Sequence, residues 1–154
     1  MGVERKNFLH TRMKIKKFPV LIRACWFGMN YHFSRKISHL PVTTVQYTVL
    51  RTLFDYSPLK LNQREVSFLI TSNENNLSSI IKRLHELKYV KLSESQSDKR
   101  EHHISISKKG IMVFFECRKE AELLQYRLID QLSKDDAINL IKHLKIVNQT
   151  IPAE

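Results

Sequence analysis

Asn75, Ser79, Lys82 and Glu86 recur at intervals of three or four, and at 100° per residue they share one side of a helix. Ser72, Ser78 and Arg83 flank that side and Asn76 adjoins it. Amides, hydroxyls and cations are the groups that hydrogen-bond to base edges and phosphates. The opposite side carries Leu77, Ile80, Ile81, Leu84 and Leu87, so the helix packs by one face and offers chemistry from the other. An ordinary solvated face would have a similar composition, so the weight rests on what surrounds it. No CxxC, no His/Cys metal spacing, no phosphate-cradling glycine loop and no GxSxG occurs in the chain. No acid pair or nucleophile with a base stands out either, so the expectation is a protein that is not an enzyme and needs no metal or cofactor.

The charge favours a polyanionic partner. The 154 residues hold 26 Lys and Arg against 15 Asp and Glu, for a formal net charge of +11. Residues 1–18 carry six basic and one acidic residue, 19–60 five and one, 61–110 nine and six, and 111–154 six and seven. The excess lies before Gly110, which separates a nucleic-acid-facing part from a part with another task. The alternative is that the basic residues only keep a helical protein in solution. No apolar stretch approaches the roughly 20 residues of a membrane span, and the basic N-terminus lacks a secretory pattern. Two cysteines, Cys25 and Cys117, are too few for a disulfide framework and suit a reducing compartment, so a cytoplasmic, nucleoid-associated protein is expected.

Three glycines and four prolines in a chain of modal domain size, with 42% hydrophobic residues, predict one mainly helical domain. Pro19 opens the first helix, which runs to about Ser38 and is apolar round most of its circumference, as a helix buried between elements or subunits would be. Thr43 and Thr44 cap a second, with Val45, Val49, Leu50 and Leu53 as its stripe to Asp55. Asn62 and Glu65 form a capping-box-like start to a two-turn third helix. The helix bearing Asn75 and Lys82 follows a turn at Thr71–Asn73. Tyr89–Ser93 and His102–Ser107 then alternate apolar and polar residues around Glu94–Glu101, a β-hairpin with a basic tip.

Two short helices followed by a hairpin make a winged helix-turn-helix within residues 41–110, with the second helix for the major groove. After Gly110, Phe114, Cys117, Ala121, Leu124, Leu128 and Leu132 line a long helix. Ser133 caps a last one with Ala137, Leu140, Ile141, Leu144, Val147 and Ile151. The fold class is therefore mainly α (α+β). A basic extension (1–18) and a first dimerisation helix (19–40) precede the DNA-reading lobe, and dimerisation helices (111–154) follow it. A second copy of the chain is the economical partner for these outer helices.

The order and spacing resemble the MarR family of bacterial transcription regulators over residues 19–150. The resemblance is carried by Leu40–Leu50, Tyr89-Val90, Asp98-Lys99-Arg100 and Ile106-Ser107-Lys108-Lys109-Gly110. It implies an obligate dimer held by the first and last helices, with a ligand cleft between the dimer region and the DNA-reading lobe. It also implies that Asn75, Ser79, Lys82 and Arg83 face DNA, that Arg100 enters the minor groove oriented by Asp98, and that Lys99 contacts phosphate. Such a regulator would act as a repressor on an inverted-repeat operator in double-stranded DNA, released by a small aromatic or phenolic ligand. Trp26, Tyr31, Phe33 and Tyr47 could line the ligand cleft or simply pack in the core.

Two departures from the family pattern stand out. Lys88 occupies a helix-ending position where the family often has Gly, so either it adopts a left-handed conformation or the helix ends differently. The wing is poorer in arginine and carries Glu94, Glu101, His102 and His103, the two histidines on opposite faces of the strand. Two other readings remain. A non-specific architectural DNA-binding protein would use the basic residues 1–18. A redox-sensing regulator would use Cys25 on the first helix, although its apolar neighbours suggest an inert core thiol and Cys117 has less claim still.

Overall fold

The computed structural model describes residues 2–70, 74–94 and 102–150, with side chains from Pro19 onward and, in the helix after the first gap, from Asn76. Helix α1 spans Gly2–Lys36 and contains Pro19. The expected start at Pro19 is thus corrected. A proline ring removes a single N–H from the ladder, and residues 4–6 and 12–17 are rich in good helix formers, so the helix runs through it and joins the basic extension to the apolar segment.

Helix α2 (Thr44–Asp55) begins with a full capping box. Gln46 N donates to Thr43 Oγ1 at 3.2 Å while Thr43 N donates to Gln46 Oε1 at 2.9 Å. Strand β1 (Leu61–Asn62) leads directly into α3 (Gln63–Ile70). There Glu65 N donates to Asn62 Oδ1 at 2.8 Å and Asn62 N to Glu65 Oε2 at 2.7 Å, so the box read from the sequence forms. Helix α4 (Glu74–Glu86) is followed by strands β2 (Val90–Glu94) and β3 (His102–Ile106). The strands pair antiparallel from Val90↔Ile106 to Glu94↔His102. Strand β1 adds to the free side of β3 through Leu61↔Ile104 and Asn62↔His103, giving the order β1-β3-β2. A two-residue strand is too short to show any alternation and leaves no periodic signal in the sequence.

Helix α5 (Lys108–Ile129) is capped by Ser107, and α6 (Lys134–Gln149) by Ser133. The core sits where α2, α3, α4, the sheet and the first half of α5 meet. Val49, Leu50, Val66, Leu77, Leu84, Ile104 and Phe114 are fully buried there. An aromatic chain ties α1 and α2 to α5. Phe33 meets Tyr47 edge-on at 4.9 Å, and Phe114 stacks on Tyr47 at 5.8 Å and on Phe54 at 4.7 Å. Val45, expected in the α2 stripe, is exposed instead.

Candidate nucleic-acid interface

Helix α4 is two-faced. Leu77, Ile81 and Leu84 are buried against the core, while Asn76, Ser78, Ser79, Lys82 and Arg83 are exposed. These five predicted contact residues therefore lie on the solvent side of one helix. Ser79 Oγ donates to Asn76 O at 2.9 Å, so its own proton is committed to the helix and its lone pairs face outward as acceptors. Arg83 Nη1 lies 3.2 Å from Glu86 Oε2, an exposed i,i+3 pair worth under about 1 kcal/mol, which leaves the guanidinium free to exchange partners. Lys82 has no ion pair among the described residues. Ser72, the side chain of Asn75, and the wing residues Asp98, Lys99 and Arg100 lie outside the described residues.

The C-terminus of α4 settles the question raised by Lys88. Its φ is 63°, in the left-handed region. Lys88 N donates to His85 O and Tyr89 N to Leu84 O, both at 2.9 Å, which is the Schellman pattern normally built on glycine. The conformation costs a residue with a Cβ roughly 1 kcal/mol. Tyr89 and Leu84, which flank this turn, are both buried. Beside this corner an open cleft of about 400 Å³ is lined by His85, Lys88, Val90, Lys91, Leu92 and Ser107, carrying basic side chains past the end of α4.

The first turn of α5 closes on the same corner. Ser107 Oγ donates to Lys88 O at 2.7 Å and accepts from Gly110 N at 2.9 Å, and Ser107 N donates to Tyr89 O at 2.9 Å. Lys109 Nζ donates to Leu87 O at 3.2 Å and lies 5.1 Å from the centre of the Tyr89 ring. A Cβ on Gly110 would overlap the Tyr89 carbonyl, so glycine permits this approach. Ser107 and Lys109 were absent from the residues singled out by type. Their signal was Ser107 three residues before Gly110 at the start of a helical pattern, which marks a helix start but not its neighbour.

The four aromatic residues proposed for a ligand cleft do not come together within one protomer. Phe33 and Tyr47 pack on each other in the core, whereas Trp26 and Tyr31 are 56% and 58% exposed on α1. Cys25, expected in apolar packing, is also exposed, because the apolar residues around it on α1 are themselves uncovered. Cys117 is buried in the core, and burial first and the neighbouring Glu116 second push its thiol up to about 11. Among the described residues no group of three His, Cys, Asp or Glu could hold a metal, and no helix is long and apolar enough to cross a membrane.

A three-stranded sheet, a two-faced helix and a short preceding helix define a winged helix protein, and residues 42–110 match the family model described as a winged helix DNA-binding domain. Solved structures extend the likeness to the outer helices. The MepR–DNA complex of S. aureus is 17% identical with a TM-score of 0.81, over 87% of this chain and 98% of that one. A MarR mutant from E. coli in complex with operator DNA is 20% identical with a TM-score of 0.79, over 90% and 96%. BpsR of Bordetella bronchiseptica is 18% identical with a TM-score of 0.76, over 84% and 91%. These are regulators of the MarR family, and the chain shares their fold. No curated protein matches the chain in sequence.

Proposed function

We propose that the chain is a MarR-type transcription regulator that binds double-stranded DNA as a homodimer. The observation that carries this reading is α4, packed by Leu77, Ile81 and Leu84 and presenting Asn76, Ser79, Lys82 and Arg83 outward next to the hairpin. Basic residues supply salt-dependent attraction that is blind to sequence, and α4 reads base edges in the major groove. The wing residues Asp98, Lys99 and Arg100 add contacts to the minor groove and backbone. Two copies related by a two-fold axis place two such helices on an inverted repeat. The exposed apolar rows of α1 and α6 supply the surface for that pairing.

Occupancy of the operator blocks a promoter, so the protein acts as a repressor. The MepR and MarR structures named above contain DNA or operator DNA, and BpsR is described as regulated in its DNA binding by 6-hydroxynicotinic acid. An aromatic acid or phenol is accordingly the effector class for this chain. It acts by preferring a conformation with the wrong half-site separation, which couples the two sites. Trp26 and Tyr31 join its pocket only if the partner protomer covers α1.

The test is selection from random duplexes at about 0.15 M salt, where non-specific attraction is partly screened. An enriched inverted repeat with half-sites about one helical turn apart is expected. Binding without enrichment that disappears steeply with salt favours the architectural reading, which the six basic residues among positions 1–18 support.

A further inference from the structure

We infer that Ser107, with Lys109 and Gly110, is a positioning element that fixes the C-terminus of α4 to the first turn of α5, and thereby sets which half-site separation the dimer accepts. The inference rests on the proposed dimeric regulator and adds to it the residues that hold the reading helix in register with the dimer region. Three consecutive carbonyls at the end of α4, those of Leu87, Lys88 and Tyr89, accept respectively from Lys109 Nζ, Ser107 Oγ and Ser107 N. The same Ser107 hydroxyl caps α5 by accepting from Gly110 N. One buried hydroxyl thus belongs to two helix ends at once: the left-handed turn that stops α4 and the N-cap that starts α5.

This joint differs from ordinary packing in its direction. Apolar contacts between helices allow small sliding, whereas carbonyls held by donors on one short turn fix both distance and rotation. At Gly110 any Cβ would collide with the Tyr89 carbonyl, so glycine lets the two backbones approach there. Beyond Leu124, the last α5 residue packed against the core, the helix continues outward with Tyr126 and Leu128 exposed. A displacement of α5 therefore carries the end of α4 with it, and the spacing between two α4 helices follows the arrangement of the dimer helices. Breaking the joint leaves each lobe able to read a half-site while loosening the distance between the two.

The experiment measures binding to the selected inverted repeat and to repeats with the spacer longer or shorter by about one base pair. Wild type, Ser107→Ala and Ser107→Thr are compared, with sedimentation and thermal melting run on each. Wild type is expected to prefer one spacer. Ser107→Ala is expected to remain a folded dimer, to lose about tenfold in affinity on that spacer, and to lose much less on the others, so that discrimination falls by about fivefold. Ser107→Thr keeps the hydroxyl and is expected to restore the profile. Uniform loss on all spacers, or no loss, overturns the inference, since a merely structural role lowers melting without changing the ratio. If Ser107→Ala does not fold, Lys109→Met removes only the exposed ammonium and must lower discrimination in the same sense. A wild-type protein with no spacer preference overturns the dimeric regulator itself.

Discussion

The lobe formed by residues 42–110 and the outer helices solve opposite problems. In the lobe most large apolar residues of α2, α3, α4 and the sheet face a common core, with Val45, Phe68 and Leu92 as outliers. In α6 only Ala137 is buried, while Ile138, Leu140, Ile141, Leu144, Ile146 and Val147 are exposed, and α1 exposes Val20, Leu21, Ile22, Trp26 and Phe27. The lobe is complete in one chain. The outer helices leave these large apolar residues uncovered in one chain, which is what the proposed pairing of two copies would bury. The charge does not follow this division: residues 1–41 carry nine basic and one acidic residue, the lobe of residues 42–110 eleven and seven, and residues 111–154 six and seven.

The largest effect expected from breaking this contrast comes from charge placed on α6. Ile141→Asp with Leu144→Asp should leave the lobe folded but produce monomers at micromolar concentration by sedimentation. Operator affinity should fall by roughly a hundredfold or more, because joint engagement of two half-sites is lost. An intact dimer in this variant would place the interface elsewhere.

Within the lobe, Lys82→Ala is expected to cost about 1–3 kcal/mol of operator binding and to relax base preference at one position. Arg100→Ala should weaken binding more evenly across sequences. Competition titrations with single-base operator variants separate the two patterns.

A smaller effect concerns the two cysteines. Cys117 rises from an ordinary 9.0 to about 11, so the folded state keeps its proton while the unfolded state loses it. The resulting stability is fully present below pH 9 and declines as pH rises from about 9 to about 11. Urea melts of wild type against Cys117→Ala should show a steeper decline in wild type, since buried Tyr47, also raised above its ordinary 10.0, contributes to a fall in both. In the native protein a maleimide should spare Cys117, while its rate at Cys25 reports whether a partner covers α1.

The smallest effect is expected at Lys88. Lys88→Gly removes a left-handed φ from a residue with a Cβ and should raise stability by up to about 1 kcal/mol, read from the urea midpoint.

The lobe was legible because its signals are local. The Thr43 cap, the Asn62/Glu65 box, the pairing of β2 with β3, and the Leu77–Leu84 stripe each rest on signals within a few residues and are present in the structure. The start of α1 was misplaced because Pro19 is a strong local stop signal overridden by good helix formers on both sides. Strand β1 was invisible because two residues have no period. The joint of Ser107 to Lys88 spans 19 positions and depends on a backbone approach that no spacing rule encodes. The division of the four aromatic residues into a core pair, Phe33 and Tyr47, and the exposed Trp26 and Tyr31 was not legible, because residue type alone does not separate them.

The most direct test of a complete reading lobe completed by a second copy is the stoichiometry on DNA. Sedimentation of the chain with the selected inverted-repeat duplex, and with a duplex holding one half-site, is the measurement to make. Two chains per inverted repeat, bound far more tightly than to the half-site, is the predicted result. One chain per duplex with equal affinity for both would contradict it.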